Sequence, residues 1–185
     1  ASLGSEITCA RADLIARLQP WALRSYAELA KGGPELTLAY RPSVEVDAAS
    51  DRSAVRQALL EELLARRKEE LDRGITLVGP HRDDLVLSLG ELPVKGYASH
   101  GESWSTALAL RLGSYDLLAE EFEPPVLVLD DVFAELDVSR RRQLATRIQQ
   151  APQVLITAAV DADVPEGLEG VRFDVIAGKV TRHGG

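Results

Sequence analysis

The sequence is short of several things, and each shortage closes off a class of protein. A single cysteine, Cys9, excludes an internal disulfide framework and fits a reducing compartment. No apolar run approaches the roughly 18 residues that suggest a membrane span. The opening residues, Ala1-Ser2-Leu3-Gly4-Ser5-Glu6, lack the basic-then-apolar order of a secretory signal. Cytoplasmic location is therefore the expectation. Methionine is absent, which removal of an initiator before Ala1 explains and which otherwise points weakly to a piece of a longer protein. Lysine is scarce, with 4 residues against 17 arginines.

Positive charge is in deficit in one half only. Residues 1–74 hold 11 basic and 12 acidic side chains, whereas residues 75–185 hold 10 and 17, a net of −7 out of the −8 for the chain. Phosphate affinity comes mainly from Lys and Arg displacing counterions, so the second half is a poor generic DNA surface. Any nucleic-acid contact needs a local basic patch or another part of the protein. The 45% hydrophobic and 27% charged content is that of an ordinary globular chain.

What is present reads as helices followed by a β-rich half. From Ala10 to Leu29, Leu14, Leu18, Trp21, Ser25 and Leu29 recur at helical spacing, with Pro20 either kinking one helix or opening a second. Gly32-Gly33-Pro34 stops it, and Leu36, Leu38 and Tyr40 alternate as a short strand. A second helix runs from an Asp51 cap to Gly74, with Val55, Leu59, Leu63 and Leu71 as its buried stripe. Thr76-Leu77-Val78 reads as a short apolar strand. Leu85, Leu87 and Leu89 form another, turned by Gly90 towards Leu92-Pro93-Val94. A helix follows Ser99, with Trp104, Leu108, Tyr115 and Phe122 broadly on one side. Val126-Leu127-Val128-Leu129, a helix from about Ser139 to Gln150, and Val154-Leu155-Ile156 make the pattern of a buried parallel βαβ unit. Val171, Phe173 and Val175 before Gly178 close the chain as a strand or hairpin.

The chemistry concentrates at Asp130 and Asp131, where the first of those apolar runs ends. Open α/β sheets bind ligands at the carboxyl ends of their strands. Phosphoryl-transfer sites place one acid there to support Mg²⁺ and a next one to orient or activate water. Two adjacent carboxylates repel, so burying both needs a metal or a shared proton. The alternative is a pair of solvated turn residues capping the following helix.

The surrounding residues extend the pattern. Val132-Phe133-Ala134-Glu135-Leu136-Asp137 resembles the loop that follows Walker B in ABC-type ATPases, and Ser99-His100-Gly101-Glu102 stands 31 positions before Asp130, where such proteins carry their signature. Together with Gly79-Pro80-His81-Arg82-Asp83-Asp84, Leu129-Asp130-Asp131-Val132 and Glu135-Leu136-Asp137, the chain resembles the RecF family over residues 7–180. The resemblance implies an α/β, ABC-type ATPase head lobe with a parallel βαβ core over residues 75–185, and a helical part of an arm domain over residues 1–74. It implies ATP and Mg²⁺ as cofactors, Asp130 as the Walker B acid holding the Mg²⁺ shell, and Asp131 as the catalytic base. Ser99, Gly101 and Glu102 become nucleotide-binding signature residues, reaching the γ-phosphate of the opposite subunit of an ATP-dependent homodimer. Glu135, Leu136 and Asp137 become the D-loop. It also implies a DNA-binding protein of replication, recombination, repair and the SOS response, which recognises gaps and loads RecA with RecO and RecR. A serine and a glycine at a helix N-terminus suit an anion on physical grounds as well, offering a hydroxyl, free N–H groups and a positive dipole end.

Two positions depart from the pattern. His100 stands where common members carry Gln, and Thr157 where ABC enzymes often place a switch His; a threonine hydroxyl can bond a water or phosphate without acting as a charged sensor, so Thr157 is expected to be nucleotide-binding in that reduced role. His81, Arg82, Asp83 and Asp84 suit a metal or phosphate site, a polar network tying the helical part to the head, or a plain salt-bridged turn. The two other histidines, His100 and His183, show no ligand-like spacing with them, so no zinc site is expected. Arg140-Arg141-Arg142 opens a helix, where positive charge is locally unfavourable. This fits an external anionic partner or a face paired with nearby acids.

No Gly-x-x-x-x-Gly-Lys-[Ser/Thr] occurs, and the only Gly-Lys, Gly178-Lys179, precedes Val180. With no phosphate cradle in cis, this chain alone is expected to be inactive as an ATPase, and the parent active. Two other readings stay open. One is a related SMC-like ATPase of the overcoming-lysogenisation type, and the other a non-catalytic dimerisation module.

Overall fold

The structure, a computed structural model, describes residues 1–46, 51–165 and 167–183. The chain divides into two compact units, residues 1–125 and 126–185.

The first unit opens with a long helix, α1 (Ser2–Leu29), which begins earlier than the apolar spacing indicates and continues through Pro20. It is followed by β1 (Leu36–Arg41), α2 (Arg52–Arg73), β2 (Asp84–Leu89), a two-residue β3 (Leu92–Pro93), a short helical turn α3 (Val94–Tyr97) and α4 (His100–Glu121). β1 and β2 pair antiparallel, with Leu36 opposite Leu89, Leu38 opposite Leu87 and Tyr40 opposite Leu85. This register sets the two alternating rows on one face. β1 is an edge strand, and Gln19 of α1 covers part of that edge. Its Nε2 donates to the Leu36 carbonyl at 3.2 Å, and its Oε1 accepts the Leu38 N–H at 2.6 Å. α4 buries the small residues Ser105, Thr106, Ala109 and Gly113 at helical spacing. At Gly113 its backbone meets that of Trp21 and Ala22 in α1.

Three expectations need correcting here. Leu71 is 63% exposed, and Glu70 is buried in its stead. At about 100° per residue, Glu70 lies 60° round the helix from Val55 while Leu71 lies 160° away. The Glu70 carboxylate accepts the Leu77 N–H at 2.7 Å. This also accounts for the second correction: Thr76–Val78 forms no strand. The Leu77 donor is taken, and Val78 sinks into a small core with Val44, Val55 and Leu59. Third, Phe122 is exposed at the C-terminal cap of α4, and Leu14 of α1 is exposed as well. Gly74 caps α2 in the left-handed conformation expected of it (φ 65°). Asp51 stands at the N-cap of α2, but its carboxylate engages the Ser53 hydroxyl instead of the helix backbone.

The second unit contains β4 (Leu127–Asp130), α5 (Val138–Ile148) and β5 (Val154–Thr157), followed by the hairpin β6 (Phe173–Ile176) and β7 (Lys179–Arg182). β4 and β5 are parallel, as the apolar runs indicate, and in register from Leu127–Val154 to Asp130–Thr157. Leu129, Phe133, Leu136, Leu144, Ala145 and Ile148 are buried. Val128 is 60% exposed and Leu155 also lies open, so the second unit by itself does not bury its strands on both faces. The β6–β7 turn uses Ala177 and Gly178, both at positive φ (49° and 77°), as a two-residue hairpin loop matching strand twist requires.

Candidate functional site

The strand ends of the second unit bring three of the expected residues together. Register places Asp130 across from Thr157. The Thr157 hydroxyl donates to Asp130 Oδ1, and the Asp131 N–H donates to Thr157 Oγ1 at 3.1 Å and to the Thr157 carbonyl at 3.2 Å. Asp131 has φ 52°, a left-handed conformation that aspartate tolerates better than most residues. Both carboxylates are exposed, so water screens their repulsion and burial does not have to be offset by a metal or shared proton.

The following loop is folded back on itself. Phe133 and Leu136 are buried, while Glu135 is exposed. Asp137 caps α5, its carboxylate accepting the Arg140 N–H at 2.9 Å and pairing with the Arg140 guanidinium. The Arg140 backbone N–H, followed by the Arg140 charge, holds the Asp137 carboxyl below the ordinary aspartate range despite some desolvation. Arg141 donates to the Leu136 and Ala162 carbonyls and pairs with Asp163 at 2.9 Å. Two of the three consecutive arginines are thus engaged within the unit, and Arg142 is exposed.

In the first unit, Ser99 is the N-cap of α4. A reciprocal capping box joins it to Glu102, whose N–H donates to Ser99 Oγ at 3.3 Å while its carboxylate accepts the Ser99 N–H at 2.8 Å. Gly101 stands in the first turn, its carbonyl accepting from Ser105.

The Gly79–Asp84 run separates into unequal parts. The side chain of Asp83 is 1% exposed. It accepts the Thr8 hydroxyl at 3.2 Å, the Tyr40 hydroxyl and the Ser43 N–H at 2.7 Å, with the Arg11 guanidinium 3.9 Å away. Arg11 also donates to the Pro80 carbonyl at 2.6 Å. Burial first, and the Asp83 bond second, push the Tyr40 hydroxyl above its ordinary pKa. His81 contacts the Thr76 hydroxyl, and Arg82 donates twice to the Thr76 carbonyl. Asp84 is exposed and accepts the Leu85 N–H. Of the three readings of this run, the geometry is that of a polar network, and it ties α1, β1 and the loop after β1 together. The partners Thr8, Arg11, Tyr40 and Ser43 carry no local sequence signal, since they lie 40 to 75 residues from Asp83.

Among the described residues no three His, Cys, Asp or Glu side chains gather to hold a metal ion. Mg²⁺ takes one or two carboxylates and completes its shell with water and phosphate oxygens. The Asp130–Asp131 strand end, with its hard oxygen donors in the open, fits such a partial donor set.

In fold the chain is similar to solved structures of SMC proteins. A solved structure from work on ATP-driven dimerisation and DNA-stimulated activation of SMC ATPases matches 95% of this chain and 88% of its own at TM-score 0.55. Its 14% identity makes this a likeness of fold. A structure of the recombination mediator protein RecF with ATPrS, in the RecFOR pathway, matches 98% of this chain at TM-score 0.82 and 26% identity. The DNA replication and repair protein RecF of Streptomyces avermitilis is 56% identical over 182 residues, and that of Cutibacterium acnes 48% over 197. The chain belongs to the RecF family. It spans about half the length of these relatives, 48% and 50%. No family model matches it.

Proposed function

We propose that the chain supplies the Walker B and signature half of a composite ATP site in a RecF-type DNA repair protein. The observation that carries this is the strand end: two adjacent acids after a parallel β-strand, clasped across the sheet by Thr157. In this reading Asp130 holds the Mg²⁺ shell, Asp131 orients the attacking water, and Ser99, Gly101 and Glu102 present a helix N-terminus to the γ-phosphate bound by an opposing subunit. Glu135, Leu136 and Asp137 form the D-loop, of which Leu136 is anchored by burial and Asp137 by capping. Residues 1–74 belong to the arm and residues 75–185 to the head. The parent binds ATP, dimerises on it, engages DNA near gaps and acts with RecO and RecR to load RecA.

The test compares this 185-residue chain with the full-length parent. The parent turns over ATP, and the chain alone, which has no phosphate loop, neither binds ATP tightly nor hydrolyses it. Asp131-dependent turnover by the isolated chain overturns the composite-site reading.

A further inference from the structure

Thr157 ends β5 directly opposite Asp130, and its hydroxyl works in both directions. It gives its one hydrogen to Asp130 Oδ1 and receives the Asp131 N–H on a lone pair. The Thr157 carbonyl shares that same N–H. With its hydrogen committed to Asp130, the hydroxyl has none to donate to a phosphate. Asp131, at φ 52°, sits in a conformation that persists when neighbours over-determine it, and the doubly accepted N–H is such a constraint. A valine would serve β5 equally well as a strand residue, but only a hydroxyl makes both bonds, and serine retains it.

We infer that Thr157 is a positioning residue for the Asp130–Asp131 pair. It fixes the carboxylate that holds the cation shell and the peptide that aims the second acid, and it acts through them without touching the nucleotide. The inference rests on reading this strand end as the acidic half of an ATP site.

The experiment uses the full-length parent carrying Thr157→Val or Thr157→Ser, with Asp131→Asn as reference. Three quantities are read: kcat against Mg²⁺ concentration, Mn²⁺ affinity by EPR in nucleotide-bound protein that also carries Asp131→Asn, and nucleotide binding without divalent cation. Thr157→Val is expected to lower kcat and Mn²⁺ affinity by about 10- to 100-fold, the usual cost of losing a partner that orients a metal ligand. Thr157→Ser restores most of both, and cation-free nucleotide binding does not move. If Thr157→Val does not fold, Thr157→Ala against Thr157→Ser gives the same ordering. Parental kcat and Mn²⁺ affinity in Thr157→Val overturn the inference, as does failure of serine to rescue. Loss of cation-free nucleotide binding overturns it too, because the hydroxyl then touches phosphate directly. Should Asp131→Asn keep parental turnover, the site reading falls and this inference with it; an inert Asp131→Asn beside a parental Thr157→Val removes this inference alone.

Discussion

Gly113 in α4 stands so close to Ala22 in α1 that a β-carbon on it would lie 2.7 Å from the Ala22 nitrogen and 2.9 Å from its α-carbon. Both atoms are backbone, so neither can swing aside as the end of a long side chain would. Gly113→Ala is expected to destabilise the chain by about 1–3 kcal/mol as an overpacked contact. This outweighs the roughly 1 kcal/mol that alanine contributes as a better helix former. Urea unfolding gives the sign; a stabilised Gly113→Ala would mean that the two helices do not meet at this point.

Asparagine occupies the left-handed region as readily as aspartate, so Asp131→Asn removes charge while leaving the φ of 52° acceptable. In the full-length parent it should retain ATP binding and lose turnover by about 10²-fold or more. ATP-bound dimers should accumulate in sedimentation. A parental rate would dismiss Asp131 as the base.

Ser99 has a capping role that stands whatever else it does. Ser99→Ala should cost about 0.5–2 kcal/mol of stability in thermal unfolding through loss of the cap. Ser99→Arg in the parent separates the two roles. If this helix end meets a nucleotide across a dimer, monomer ATP binding survives while ATP-driven dimerisation and turnover disappear. Sedimentation with a non-hydrolysable analogue checks it, and a dimerising Ser99→Arg protein sinks the trans contact.

Asp137 ties the start of α5 to acid stability. Its pKa is lower in the folded chain than the roughly 3.9 of a free aspartate, chiefly through the Arg140 N–H. Its contribution is therefore fully present above about pH 4 and is lost as the pH falls through the depressed folded value. Asp137→Asn keeps the cap but removes the titration, so its stability should fall less steeply below pH 4. Denaturant midpoints at stepped pH values measure this, and identical slopes for the two proteins would refute it.

Much of the architecture could be read from residue order, because local rules governed it. Val126–Leu129 and Val154–Ile156 flank a helix at βαβ spacing, and Leu36, Leu38 and Tyr40 alternate with a two-residue period; both patterns emerged as strands. Leu71 departs from the expected stripe because it lies outside the helical phase set by Val55 and Leu59. Thr76–Val78 forms no strand because the Glu70 carboxylate takes the Leu77 donor, a contact no strand pattern encodes. Asp130 and Asp131 were legible as a pair. Their clasp by Thr157 depends on strand register across 26 and 27 residues, which no motif spacing states.

The buried carboxylate of Asp83 has a bearing on how the chain comes apart. Its partners are Thr8, Tyr40 and Ser43, so opening α1, β1 or the 3₁₀ turn at Pro80–Arg82 strands the same charge. Local fraying cannot release one of these segments at small cost. Residues on either side of Gly74, whatever their lineage as arm or head, should then exchange their amide hydrogens as one cooperative block. The amides of Thr8, Ala39 and Asp83 would open at a single shared rate in native-state exchange.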